Sequence, residues 1–353
     1  MKVKLPVRRE ILQRKTYEPP AEGRWGKIRL DFNENTAGCS RTVRRALAGL
    51  SEKKIAMYPE VLEGTAKLAR YFGVAPEELV LANGGDDALR GFFDAFVDKG
   101  SRILICEPTF PMYRYYAEIY GARIDVFRYD AEMRFPLGDA LRALKKKPRV
   151  FFLANPNNPT GTLVPLPDLR KILEAAPRTA VVFDEAYAEY SGLTTTPWIR
   201  KYPNLFVART FSKAAGLASL RLGGVIARRD SLELVRRAMP PYPINVAGLV
   251  GAVAAVRDQK TMRAHVREIL RTREWFAAEL RKMGARAFSS AGNFLLADFG
   301  ADGPAMFAQL EKKGILLRDR SQAIAPGFVR IGIGTRREME ILVREIIRLR
   351  EKR

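Results

Sequence analysis

The chain has 353 residues, 47% hydrophobic and 28% charged, which is enough for one large domain and a smaller one around a sizeable core. Its formal net charge is +22, but Lys and Arg are spread along it, and runs such as Lys145-Lys146-Lys147 or the closing Arg348-Leu349-Arg350-Glu351-Lys352-Arg353 are short. That pattern reads as a basic solvated surface, although nucleic acid or an anionic substrate would also suit it. Two cysteines outside any CxxC pair (Cys39, Cys106), one histidine (His265) and no apolar run of about 18–20 residues argue against a disulfide framework, a multi-histidine metal site and a membrane span. The basic start, MKVKLPVRRE, is not followed by an apolar segment and is not read as a secretory signal, so a cytoplasmic home is expected.

Past an irregular, Pro- and charge-rich start, short apolar runs predict strands over Leu79–Ala82, Ile103–Cys106, Val150–Leu153, Ala180–Phe183, Leu205–Ala208 and Gly224–Ala227. Amphipathic stretches such as Asp86–Val97 and Asp168–Ala175 lie between them. Continuous apolar strands alternating with helices predict an α/β fold with a mostly parallel sheet covered on both faces. From about residue 247 the pattern changes to a long helix, Leu249 to about Met283, then a second α/β region ending in the helix Arg336–Arg350. The expected division is residues 1–35 as an N-terminal arm and part of a small domain, 36–247 as a large domain, and 248–353 as the rest of the small domain.

Four motifs follow predicted strands. Asn83-Gly84-Gly85-Asp86-Asp87 opens a helix whose unpaired N–H groups suit a phosphate, though a plain turn capped by Asp86 is the simpler reading. Asn155-Pro156-Asn157-Asn158-Pro159-Thr160-Gly161 is stiffer than a connection needs, and stands where open α/β sheets bind ligands. In Phe183-Asp184-Glu185-Ala186-Tyr187, a carboxylate ending an apolar strand needs a cationic or hydrogen-bonding partner, unless Asp184 merely caps a helix. In Arg209-Thr210-Phe211-Ser212-Lys213, continuing to Arg221-Leu222-Gly223, Lys213 sits among small and apolar neighbours, and Ser212 and Arg221 offer groups suited to phosphate.

In this order the motifs resemble those of the fold-type-I pyridoxal-phosphate (PLP) aminotransferases, and within them the histidinol-phosphate aminotransferases. The likeness runs from about Tyr17 to about Thr335 and includes Tyr17-Glu18-Pro19-Pro20, Asp31-Phe32-Asn33-Glu34-Asn35, Tyr58-Pro59-Glu60, Pro108-Thr109-Phe110, Gly314-Ile315-Leu316-Leu317-Arg318-Asp319 and Val329-Arg330-Ile331-Gly332-Ile333-Gly334-Thr335. The resemblance implies a PLP-binding large domain and a smaller α+β domain. It implies that Lys213 binds PLP covalently and shuttles a proton, that Asp184 pairs with the ring nitrogen, and that Asn158 and Tyr187 bond the ring's phenolic oxygen. By the same resemblance Phe110 would stack on the ring, where the family usually has Tyr, and Gly85, Asp86, Thr210, Ser212 and Arg221 would hold the phosphate. Tyr58 would reach the phosphate of the neighbouring subunit in a homodimer. Arg330 would grip a substrate carboxylate, Arg318 and Tyr17 would serve a substrate phosphate, and Asn33 would face the substrate. Asn35-Thr36 and Gly85-Asp86-Asp87 depart from the family's usual Asn-Pro and Ser-Asp-Glu without removing a needed group. The expected reaction interconverts histidinol phosphate and 2-oxoglutarate with imidazole-acetol phosphate and glutamate, in histidine biosynthesis. An aromatic amino-acid aminotransferase and a threonine-phosphate decarboxylase share the scaffold. A nucleic-acid regulator would carry an added helix-turn-helix, for which the first strand-like motif, near residue 30, leaves no room. Neither a metal, a membrane nor a specific nucleic acid is expected as a partner.

Overall fold

The computed structural model describes residues 5–14, 16 and 22–351. Its strands in chain order are β1 (Ile28–Arg29), β2 (Leu79–Ala82), β3 (Arg102–Glu107), β4 (Arg123–Arg128), β5 (Val150–Ala154), β6 (Ala180–Asp184), β7 (Leu205–Thr210), β8 (Gly223–Ala227), β9 (Arg286–Ala287), β10 (Phe294–Asp298), β11 (Ile315–Leu316), β12 (Arg318–Asp319) and β13 (Phe328–Gly332). Seven of these form a central sheet in the order β2-β8-β7-β6-β5-β3-β4, parallel except for β8, which runs against both its neighbours. This is the α/β, mostly parallel architecture that the apolar runs predict. Side chains alternate across the pleat, so one face packs Leu104, Phe151, Leu153, Val181, Phe183 and Val207 into one core. Ile103, Ile105, Phe152, Val182 and Phe206 point the other way, into a second core.

Because the parallel strands share a direction, the segments leaving β3, β5, β6 and β7 emerge along one edge. Strand β8 is reversed, so the residues entering it, Arg221 and Leu222, lie at that same edge. A second, antiparallel sheet, β12-β13-β10-β9, holds the small α/β region. It packs through Leu295, Ala297, Val329 and Ile331 on helices Gln259–Lys282 and Arg336–Glu351, while Phe294, on the opposite face, meets Tyr187. Strand β1 pairs with β11, so the N-terminal segment joins this region.

Two features differ from the sequence reading. The single long helix expected from Leu249 to Met283 is two helices, Val246–Arg257 and Gln259–Lys282. Asp258 leaves helical geometry between them, at φ −100° and ψ 46°, and its side chain accepts from the N–H of Thr261, capping the second helix. Strand β4 lacks a continuous apolar run because it lies at the sheet edge with Phe127 as its buried residue, and half of its six residues are charged.

Candidate active site

The edge where the motifs gather opens into a cleft of about 500 Å³. Gly85, Asp86, Phe110, Asn158, Asp184, Tyr187, Thr210, Ser212, Lys213, Arg221, Arg318 and Arg330 all line it. Lys213 follows β7, its Nζ donating to the carbonyl of Phe32 at 2.9 Å. Burial, reinforced by Arg330, lowers its pKa from 10.5 to about 8, against the opposing pull of Glu34 and Asp86. At pH 7 that raises the neutral, nucleophilic fraction roughly 300-fold over an ordinary lysine.

Asp184 ends β6 and caps no helix. Its Oδ1 accepts the N–H of Ala186 at 3.1 Å and its Oδ2 accepts the Tyr113 hydroxyl at 2.8 Å. Burial pushes its pKa up to about 6, with Tyr113 and Ala186 pulling the other way. The adjacent Glu185 turns away, accepting from Thr194, from the N–H and hydroxyl of Thr195, and from buried Arg209. Arg209 also pairs with Glu189.

The asparagine loop divides its labour. Asn155 bonds Val164 in both directions. Asn157 ties Pro108, Thr109 and Thr160 together. These bonds explain the stiffness, and they leave Asn158 to face the cleft. Asn158 Oδ1 accepts from Arg330 at 2.6 Å, so its amide N–H remains the donor for an oxygen in the cleft.

Helix Gly84–Phe96 begins beside the cleft without a side-chain cap, which leaves first-turn N–H groups without a capping partner. Arg221 sits above them, 3.4 Å from Asp86. It takes a left-handed backbone, φ 49°, at a cost of roughly 1–2 kcal/mol. Gly84 at φ 86° makes room, because a Cβ there would lie 2.4 Å from the Arg221 guanidinium. Thr210 donates to Ser212 at 3.0 Å beside them. An uncapped helix N-terminus, a guanidinium and a hydroxyl pair are the kinds of donor that could hold a phosphate.

At the rim, Arg318 and Arg330, twelve positions apart in sequence, are direct cross-strand partners on β12 and β13. Arg318 lies over the ring of Phe32 and Arg330 over that of Phe294. Among the other expected residues, Asn33 and Tyr58 do not line this cleft. Asn33 is buried, and its amide donates to the hydroxyl of Tyr187, a cleft-lining residue, at 3.0 Å. Tyr58 is 76% exposed and stacks on Tyr242 at 4.4 Å, away from this cleft. Tyr17 lies outside the described residues. Sequence reasoning missed Tyr113, Arg29, Phe32, Glu34 and Arg320, the last four of which line the cleft.

The family model described as "Aminotransferase class I and II" matches residues 26–346. A relative named "Histidinol-phosphate aminotransferase 1", from Carboxydothermus hydrogenoformans, is 33% identical over 338 residues, 95% of each chain. Among solved structures, a histidinol-phosphate aminotransferase from Sinorhizobium meliloti in complex with pyridoxal-5'-phosphate superposes with a TM-score of 0.90 at 25% identity, covering 97% of this chain and 96% of that one. The L-threonine-O-3-phosphate decarboxylase of Porphyromonas gingivalis shares the fold, with a TM-score of 0.81 at 22% identity, covering 92% and 99%.

Proposed function

The chain belongs to the class I and II aminotransferases, whose cofactor is pyridoxal phosphate, and from that premise we propose that it moves the amino group of histidinol phosphate to 2-oxoglutarate. The observation that carries the substrate reading is the cross-strand pair Arg318 and Arg330 facing one cleft. Arg330 serves any amino-acid carboxylate, and a second guanidinium beside it suits a ligand with another anion.

The groups present fit the cofactor. Gly85, Asp86, Ser212, Arg221 and Thr210, which would hold the phosphate, line the same cleft as Asp184. Phe110 offers a ring face for stacking. The chemistry supplied by pyridoxal phosphate, when bound, is an electron-accepting ring and a carbonyl that carries the amino group. Lys213 Nζ anchors the cofactor and then moves a proton to and from the substrate's Cα, a task helped by its lowered basicity. Asp184 holds a proton on the ring nitrogen by its negative charge. The amide N–H of Asn158 and the hydroxyl of Tyr187 hold the ring's phenolic oxygen. Arg330 orients the carboxylate of the amino-acid partner, and Arg318, with Tyr17, takes the phosphate.

The working unit is a homodimer in which Tyr58 reaches the neighbour's phosphate cradle. In support, Ile55, Met57, Tyr58, Leu62 and Tyr242 form an exposed apolar surface suited to a second copy. The division at residues 35 and 247 belongs to the same reading. Among the described residues no helix is long and apolar enough to cross a membrane. The same reading places the enzyme in the cytoplasm. The basic residues are read as a solvated surface rather than as a site for a defined nucleic-acid sequence.

Steady-state kinetics on histidinol phosphate, histidinol, phenylalanine and threonine phosphate test the substrate reading, in wild type and in Arg318→Ala. Histidinol phosphate should be preferred, and the preference over histidinol should shrink in the variant. A preference for phenylalanine unchanged in Arg318→Ala would make the protein an aromatic aminotransferase. Carbon dioxide released from threonine phosphate would make it the decarboxylase.

A further inference from the structure

We propose that Tyr113 is the positioning residue of the cofactor site, its buried hydroxyl fixing Asp184 and keeping that carboxylate ionised in a dry wall. The proposal rests on the reading of Asp184 as the partner of the cofactor's ring nitrogen. Tyr113 is fully buried near the start of helix Met112–Ile119. Its ring stacks on Phe152 at 5.1 Å and meets Phe110 edge-on at 5.7 Å. Those contacts would be met equally by phenylalanine. The hydroxyl adds a donor to Asp184 Oδ2 at 2.8 Å, while the Ala186 N–H takes Oδ1. With one donor on each oxygen the carboxylate plane is fixed from both sides, so its remaining lone pairs have fixed directions.

The surroundings of Asp184 explain why such a donor is needed. Asp86, at the start of helix Gly84–Phe96, and Glu185, next in the chain, both disfavour its negative charge. Glu185 is already committed to Arg209, Thr194 and Thr195. Tyr187 follows β6, and Lys213 and Arg221 come from the segment between β7 and β8. Arg330 is on β13, where its guanidinium is engaged by Asn158 and the carbonyl of Asp31. Tyr113 is suited to the task because it does not become a competing charge. Burial beside Asp184 holds its hydroxyl far above the ordinary tyrosine range, so it donates at every working pH. Its place behind Phe110 also links the ring-stacking residue and the ring-nitrogen partner in one packed unit.

The test is an infrared titration of cofactor-free protein, in which the protonated-carboxyl band of Asp184 is identified by its loss in Asp184→Asn. The wild-type midpoint is expected near 6. Tyr113→Phe should raise it by about one pH unit or more, the size of a lost charge-assisted hydrogen bond. In the loaded protein the same variant should shift the pH dependence of the cofactor's visible spectrum in the same direction. Site-specific 3,5-difluorotyrosine at 113, a stronger donor of the same shape, should lower the midpoint, and it carries the test if the phenylalanine variant folds poorly. A midpoint unmoved by either change overturns the role of Tyr113. A wild-type protein that takes up no pyridoxal phosphate would instead overturn the cofactor reading itself, so the two failures are distinct.

Discussion

On the floor of the cleft, Asp184, Lys213 and Asn158 sit on segments that follow neighbouring parallel strands, whereas the arginines of the rim, Arg318, Arg320 and Arg330, come from and around the antiparallel strands of the small sheet. The floor charges are desolvated. Asp184 is driven toward its neutral form and Lys213 likewise, the first up to about 6 and the second down to about 8. The rim arginines cannot be neutralised in this way, since a guanidinium stays protonated. The floor is therefore suited to holding and moving protons, and the rim to gripping anions that arrive and leave. The two are joined at Arg330, which bonds Asn158 on the floor and depresses Lys213.

Changes to the floor should break chemistry, and the largest effect is expected at its lysine. Lys213→Ala should lose the covalent, borohydride-sensitive colour of the loaded enzyme and several powers of ten in rate, since both the anchor and the proton carrier go. Mass spectrometry after borohydride treatment checks the attachment, and an adduct surviving in the variant would remove Lys213 from its role. Asp184→Asn comes next, with a rate loss of about two to four powers of ten. Asp184→Glu should retain more activity, because it keeps the charge even with altered reach. An asparagine variant close to wild type would mean that the ring nitrogen needs no anionic partner.

The difference between floor and rim also governs what could be read from sequence. Floor residues announce themselves because each follows an apolar strand within a few positions, so strand pattern and motif fall in one short window, as with Val150–Asn158 and Ala180–Tyr187. The rim depends on antiparallel register. That Arg318 stands opposite Arg330 follows from the pairing of β12 with β13, which no local pattern encodes. The setting of Asn33 is hidden from sequence for a related reason. Its backbone takes φ 54° and its amide meets Tyr187, 154 positions away. Tyr113 was passed over because its partner Asp184 is 71 positions distant, and a tyrosine on an apolar helix face looks like core. The break at Asp258 was a local signal overlooked, an Asp three residues before a threonine whose N–H it caps.

Changes to the rim should break recognition and spare the chemistry. Arg318→Ala should cost about one to two powers of ten in kcat/KM for histidinol phosphate, the equivalent of one charge-assisted phosphate contact, and far less for histidinol. Cofactor binding and the visible spectrum should not change. Equal losses on both substrates would mean that Arg318 supports the fold of the rim rather than the phosphate. Arg330→Gln should do more, because it weakens carboxylate binding and also removes the nearby charge that keeps Lys213 low, so the lysine's titration should move up.

The smallest effect sharpens the comparison through stability. A rise in the pKa of Asp184 from 3.8 to about 6 means that the folded, cofactor-free protein binds an extra proton between those values. Stability contributed by this residue is therefore present below about pH 4, falls as pH rises through 4 to 6, and is lost above that. The full span corresponds to about 3 kcal/mol, an upper figure for a side chain whose partners adjust when it is replaced. Asp184→Asn keeps the shape and the acceptor for Tyr113 but carries no charge. Cofactor-free Asp184→Asn should then melt a few degrees above wild type at pH 8, and the gap should close as pH is lowered toward 4. Arg318→Ala, at a partly exposed site, should show no such pH-dependent gap. Bound cofactor should reverse the order, because the charge that burdens the empty floor is the one the ring nitrogen uses. Thermal unfolding of both variants at pH 4, 6 and 8, with and without pyridoxal phosphate, checks this. A gap that is flat with pH would show that Asp184 is not held as a costly anion in the empty site.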